Sequence, residues 1–444
     1  MKLWEKGTKI NDLIESFTVG KDREMDFYLA KFDIIGSLAH IQMLEHIGLL
    51  EADEYKALAR ELKNIYVEVS DGKFTMEEGV EDIHSQIELL LTARLGDTGK
   101  KIHSGRSRND QVLLDLKLFT RDAIKSITDN SIHLFEILIS QSNRYKEVLM
   151  PGYTHLQVAM PSSFGLWFSA YAESLTDDLM LLQSAYRVAD QNPLGSAAGY
   201  GSSFPLDRQM TTDLLGFETM NFNVVYAQMG RGKMEKIVLF AMGSIASTLS
   251  RLAFDVCLYM SQNFNFINLP DEFTTGSSIM PHKKNPDVFE LLRAHCNKLQ
   301  ALPSQMLSIT NNLPSGYFRD MQLTKEIFIP AFQELNECII IAAFALEHIS
   351  VKENILNDDK YRFLYSVEEV NRRVLSGMPF RDAYREVGAS IENNQFNPDK
   401  AIHHTHIGSI GNLSLDRIES KMRQVVSQFN FEKASLAIEA LLKA

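Results

Sequence analysis

The stretch GSSIMPHKKNPDVFE, Gly276 to Glu290, concentrates polar and ionisable side chains: hydroxyls at Ser277 and Ser278, ammoniums at Lys283 and Lys284, and an amide at Asn285. Serines on a glycine hinge, with cations a few residues on, describe a loop that could close over an anionic substrate. Phe289, Leu292, Cys296 and Leu299 then recur at helical spacing, so the loop feeds a helix. Asn285 is expected to be its N-cap and Pro286 its first residue, with Asp287 and Glu290 complementing the helix dipole.

Four further stretches carry groups of the same kind. In KIHSGRSRNDQV, residues 101–112, a glycine flanked by serines and arginines precedes the periodic run Val112, Leu116, Phe119, Ala123, Ile127. This looks like a polar loop docking an anion at a helix start, although a capped basic turn is the more ordinary reading of the residues alone. In LMPGYTHLQVAMPSSFG, residues 149–165, the turn at Pro151–Gly152 places Thr154 and His155 at the entrance to the next element. PSGYFRDMQLTKE, residues 314–326, sets Tyr317, Arg319, Gln322 and Lys325 within about two helical turns. In EEGVEDIHSQIE, residues 77–88, Glu81, Asp82 and His84 fall near a helix start, where a single histidine is ordinarily structural.

The elements that must position these groups read as helices. Apolar residues from Phe27 to Ile47 recur at spacings near three, and long periodic runs cover 110–148, 161–190, 227–262, 286–311 and 325–349. No strand alternation extends over several elements, so the fold class is all-α. The chain has 444 residues, more than one ordinary core accommodates. We divide it into an N-terminal helical domain (1–106), a central long-helix bundle (107–355) and a C-terminal helical domain (356–444). Helices this long bury more on partners than on themselves, which implies an oligomeric core.

Composition narrows the function. A net charge of −12, from 45 basic and 57 acidic residues, excludes a general nucleic-acid or membrane-surface binder and requires local cations for any anionic ligand. The Gly- and Ser-rich segment 192–208 holds neither a P-loop nor a dinucleotide fingerprint. Cys257, Cys296 and Cys338 are scattered, and the HHTH run at 403–406 has no fourth ligand at a suitable spacing, so neither a metal nor a cofactor is expected. The uncharged run between Lys236 and Arg251 is expected to be a buried helix, and MKLWEKGTKINDLIESF lacks the apolar core of a secretory signal. A cytoplasmic protein is the expectation.

The pattern GSxxMxxKxN, filled by Gly276, Ser277, Met280, Lys283 and Asn285, is that of the fumarase/aspartase superfamily. With SGRSRND, PGYTH and YxRDxQxxK in the same order, the chain resembles the argininosuccinate lyases over nearly its whole length. The resemblance implies a fumarate-releasing β-elimination without a cofactor, in a homotetramer whose central helices form the core and whose sites each draw on three subunits. It makes Ser277 the base, Lys283 and Asn285 the holders of the substrate carboxylate, and His155 with Glu290 the proton relay. Ser107, Arg108, Asn109, Thr154, Tyr317, Arg319, Gln322, Lys325 and His84 become substrate contacts. The MPHK at Met280–Lys283 is closer to adenylosuccinate lyases, and another N-succinyl lyase or an inactive helical scaffold are further alternatives. Asp22 where a serine is usual, Val158 and Met160 in place of polar residues, and MGRGK at 229–233 depart from the common pattern.

Overall fold

The computed structural model describes residues 11–77 and 79–443, so the first part of the N-terminal stretch read above lies outside the described residues. After two short helices, Asp12–Val19 and Asp22–Phe27, the longer helices run in chain order: α1 (Ala30–His46), α2 (Ala52–Ser70), α3 (Ile83–Leu95), α4 (Arg108–Arg144) and α5 (Phe164–Ala189). They continue as α6 (Lys233–Met260), α7 (Asp287–Thr310), α8 (Thr324–Glu347), α9 (Ser366–Leu375), α10 (Phe380–Glu392), α11 (Leu415–Val426) and α12 (Phe431–Lys443). The chain is predominantly helical, and its five longest periodic runs became the five helices α4 to α8.

Local chemistry sets where these helices begin. Ser107 caps α4: its hydroxyl accepts the Asn109 N–H at 3.3 Å, and Asp110 returns the favour by accepting the Ser107 N–H at 2.8 Å, a capping box. Asp82 caps α3 through the Ser85 N–H, and Ser163 caps α5 through the Leu166 N–H. Asn285 does not cap α7, contrary to expectation. The helix starts at Asp287 with Pro286 in the cap position, while the Asn285 amide donates back to Thr275 and Gly276.

Helices α4 to α8 pack side by side around one apolar core containing Leu134, Phe168, Leu182, Ile245, Leu299 and Leu335. α6 lies against α5, α7 and α8. It is long and apolar enough to cross a membrane by composition, as is the segment Arg319–Glu347, yet 56% and 50% of their respective apolar windows are buried in the fold. A second core joins α1, α2 and α3 through Ile34, Leu38, Leu58, Leu62, Ile87 and Leu91. α9 and α10 share a small cluster of their own around Val370, Ala383 and Val387, α11 returns to α5, and α12 reaches back to α1.

One element was not anticipated. Residues 149–163 form an antiparallel hairpin, β1 (Leu149–Thr154) and β2 (Gln157–Ser163), with Thr154 opposite Gln157. Thr154 and His155 therefore sit at a hairpin tip, and the next element they lead into is the strand β2. His155 and Leu156 turn the chain with φ of 54° and 57°, the left-handed geometry of a tight hairpin. Two further strand pairs, Gln191–Asn192 with Thr219–Met220 and Ile267–Asn268 with Ser350–Val351, are two residues long.

Candidate active site

A cleft of about 250 Å³ opens where five segments meet: the short helix Asp22–Phe27, the start of α3, the first turn of α4, the turn before α6 and the 3-10 turn Arg319–Leu323 leading into α8. Its walls carry Arg108, Asn109, Arg231, Tyr317, Arg319, Gln322, Lys325 and His84, together with Asp22, Asp26, Glu81 and Asp82. The Ser107 capping box fixes the first turn of α4 and so sets Arg108 and Asn109 on the cleft side; Ser107 itself is spent on the cap.

Cations and carboxylates in the cleft are interlocked. Arg108 pairs with Asp82 at 3.1 Å and Glu81 at 3.4 Å and donates to Ser85 Oγ at 2.6 Å. Arg319 meets the other oxygen of Glu81 at 3.1 Å, and Gln322 donates to the carbonyls of Thr18 and Val19 at 2.9 and 3.1 Å. Lys325 is 4% exposed and ion-paired to both Asp22 and Asp26. Burial opposes its charge, but Asp26 and Asp22 outweigh burial and hold its pKa above the usual lysine value. For Asp22 burial wins over the neighbouring Lys325, and its pKa rises to about 6. Burial also acts against Asp82, but His84 and Arg108 prevail and lower it.

Arg231, Asp22 and Asp26 belong to the cleft although sequence reading assigned them no role. Arg231 pairs with the buried Glu235 at 3.1 Å and donates to the Met321 carbonyl at 2.9 Å. The i,i+4 spacing of Asp22 and Asp26 was the available signal, since it puts both carboxylates on one helix face. His84 is nearly buried in the wall, with Nδ1 2.7 Å from Asp33.

The remaining predicted residues lie elsewhere on the chain. The bridge Thr275–Asn285 pins the base of a loop, 276–284, that projects from the start of α7. Ser277 Oγ accepts the Met280 and Ile279 N–H groups at 3.1 and 3.4 Å, Lys284 pairs with Asp271, and Ile279 is 84% exposed. Gly276 does not adopt a positive φ, and a Cβ there would meet nothing within 4 Å. Lys283 and Glu290 are exposed, as are Thr154 and His155 on the hairpin tip. Within one chain, then, Ser277, Lys283, Asn285 and Glu290 form one group, Thr154 and His155 a second, and Arg108, Asn109, Tyr317, Arg319, Gln322, Lys325 and His84 a third. None of the first two groups lines the cleft. His404 of the HHTH run is held by Glu368 at 2.9 Å.

The family described as lyase matches residues 7–301. An argininosuccinate lyase of Phocaeicola vulgatus is 66% identical over 441 residues, covering 99% of both chains. One of Thermotoga neapolitana is 39% identical over 386 residues, 87% of this chain and 97% of that one. Among solved structures, a variant of EDDS lyase with bound fumarate superimposes with a TM-score of 0.77 at 21% identity, over 99% of this chain and 95% of that one. A class II fumarase of Schistosoma mansoni gives 0.69 at 16% identity, over 93% of this chain and 95% of that one. These structural likenesses establish a fumarase-like helical fold, and the sequence matches establish that the chain belongs to the argininosuccinate lyases within the lyase family.

Proposed function

We propose that this chain cleaves argininosuccinate into arginine and fumarate. The observation that carries the reading is the convergence of Arg108, Asn109, Tyr317, Gln322 and Lys325 on one cleft, in a chain 66% identical along its length to a relative so named. The reaction removes a proton from the carbon beside a carboxylate, and the C–N bond then breaks with its electron pair going to the guanidino nitrogen. Such a proton leaves only if the doubly charged aci-carboxylate is stabilised as it forms. Ser277 takes the proton, Lys283 and Asn285 hold the carboxylate, and His155 with Glu290 returns a proton on the leaving side. Ser277 is a weak base in water and needs nearby cations and a closed, dry site.

The reading includes a homotetramer in which three subunits supply each site. The separation of the three residue groups within one chain supports it, as do the exposed apolar side chains Phe240 and Phe254 on α6, Leu291 on α7, and Ile340 and Phe344 on α8. Division into three helical domains, and work in the cytoplasm without a cofactor, belong to the same proposal. His282 favours adenylosuccinate as the alternative substrate. Fumarate absorbance followed on mixing with argininosuccinate, adenylosuccinate and aspartate separately decides the member; release from argininosuccinate alone is expected. Ser277→Ala abolishes turnover and leaves fumarate binding intact. Near-normal kcat in that variant removes Ser277 from the mechanism, and an active monomer on gel filtration removes the shared site.

A further inference from the structure

Behind the cleft wall, α1, α3 and α4 bury a polar cluster around His84. His84 Nδ1 lies 2.7 Å from Asp33 Oδ1 and 3.6 Å from Asp115 Oδ2, with all three side chains nearly inaccessible. Gln111 Nε2 donates to the same Asp33 oxygen at 3.4 Å, while Asp33 Oδ2 and Asp115 Oδ2 accept no hydrogen bond from the described residues. The other charges nearby have their own partners. Asp26 is paired with Lys325, Asp82 with Arg108, and Asp110 accepts the N–H groups of Ser107, Gly195 and Ala197. Arg106, which donates to Ser37 at 3.0 Å, is a cation whose field reaches both Asp33 and Asp115. Burial and the neighbouring Asp33 push the Asp115 pKa well above the usual carboxylate value, so Asp33 is the carboxylate that an imidazolium at His84 neutralises across the 2.7 Å contact.

The contrast with His40 shows what the carboxylates do. His40 is equally buried, donates Nε2–H to the Ser104 carbonyl at 2.9 Å and has no carboxylate partner among the described residues. Burial and Arg106 push its pKa well below the usual histidine value. Burial acts on His84 in the same sense, yet Asp33 and Asp115 outweigh it and raise His84 to about 10.

We propose that Asp33 and Asp115 are positioning residues that lock His84 as a permanent imidazolium, whose Nε2–H is a fixed donor in the cleft wall for a carboxylate of the substrate. With Nδ1 committed to the two acids, Nε2 is the nitrogen left to the cleft that His84 lines. The proposal rests on the reading that this cleft takes a dicarboxylate. Because the charge is lost only as pH rises through about 10, the donor persists across the neutral range, unlike that of an ordinary histidine.

Fumarate binding to the intact assembly, measured by calorimetry at about pH 6 and about pH 8.5, tests this without turnover. The wild type keeps the His84 contribution at both. In Asp33→Asn the acid bonded to Nδ1 is gone, His84 titrates in the neutral range, and affinity falls about tenfold between the lower and the higher pH. His84→Gln binds weakly at both, and Asp33→Glu restores the wild-type profile. Asp33→Ser supplies a second route if Asp33→Asn does not fold. The proposal is overturned if the Asp33 variant follows the wild-type profile, or if His84→Gln binds fumarate as tightly as wild type. It is also overturned if the purified protein carries one divalent metal per chain that Asp115→Asn removes, because a metal on Nδ1 would take the place of the proton. An enzyme that releases fumarate from argininosuccinate while failing this test loses the proposal and keeps its function.

Discussion

Replacing Asp22 by Asn probes how the cleft manages its charge. Asp22 and Asp26 share the Lys325 ammonium, and Asp26 is the better held because it also accepts the Ile83 N–H at 3.3 Å. Burial leaves Asp22 with a pKa of about 6 in place of 3.8. The folded chain therefore holds this proton more tightly than the unfolded chain. That contribution to stability is full below the unfolded value and is lost as pH rises through the folded value. Between about pH 5 and about pH 8 the wild type loses about 1 to 2 kcal/mol that an Asp22→Asn variant, with no proton to release, does not lose. Urea unfolding of both proteins at one protein concentration, followed by the fluorescence of Trp167 in the bundle core, reads the difference. The variant should gain on the wild type by that amount at the higher pH. If the gap between the two unfolding free energies is the same at both pH values, the account of Asp22 is wrong.

Four other outcomes are expected. Ser107→Ala removes the cap of α4 and lowers unfolding free energy by about 1 kcal/mol. Because Arg108 and Asn109 ride on that first turn, KM for argininosuccinate should rise with little change in kcat. Lys325→Met leaves Asp26 and Asp22 buried without a counter-ion and should cost about 3–5 kcal/mol in denaturant titrations at pH 8, with a smaller loss at pH 5 where Asp22 takes up a proton. Phe254→Glu, on the exposed face of α6, should shift gel filtration toward smaller species and abolish fumarate release. Mixing Ser277→Ala with Lys325→Met subunits should then restore part of the activity, since hybrid assemblies contain sites with neither defect.

The long helices were legible because their apolar residues repeat with the helical period, and a capping serine stands before α4 and α5. The hairpin was not. His155–Leu156 turns without the Gly, Asn or Asp that marks a left-handed turn, and β1 contains Pro151 and Gly152, which read as a break. The residues lining the cleft were found through their motifs. Their mutual pairing was hidden, because Lys325 meets Asp22 and Asp26 from the far end of the chain, and His84 meets Asp33 and Asp115 from other helices. Helical periodicity locates a residue on its own face and says nothing about which distant face it will meet.

The bridge between Thr275 and Asn285 has a mechanical consequence. Two backbone hydrogen bonds, Thr275 N–H to the Asn285 carbonyl and Asn285 N–H to the Thr275 carbonyl, tie the two ends of the 276–284 segment together. Ser277 and Lys283 lie on opposite arms of that tied segment, so under the proposed mechanism a swing of it would deliver base and carboxylate holder in the same stroke. A half-armed site, able to pull a proton yet unable to steady the charge left behind, would then not form.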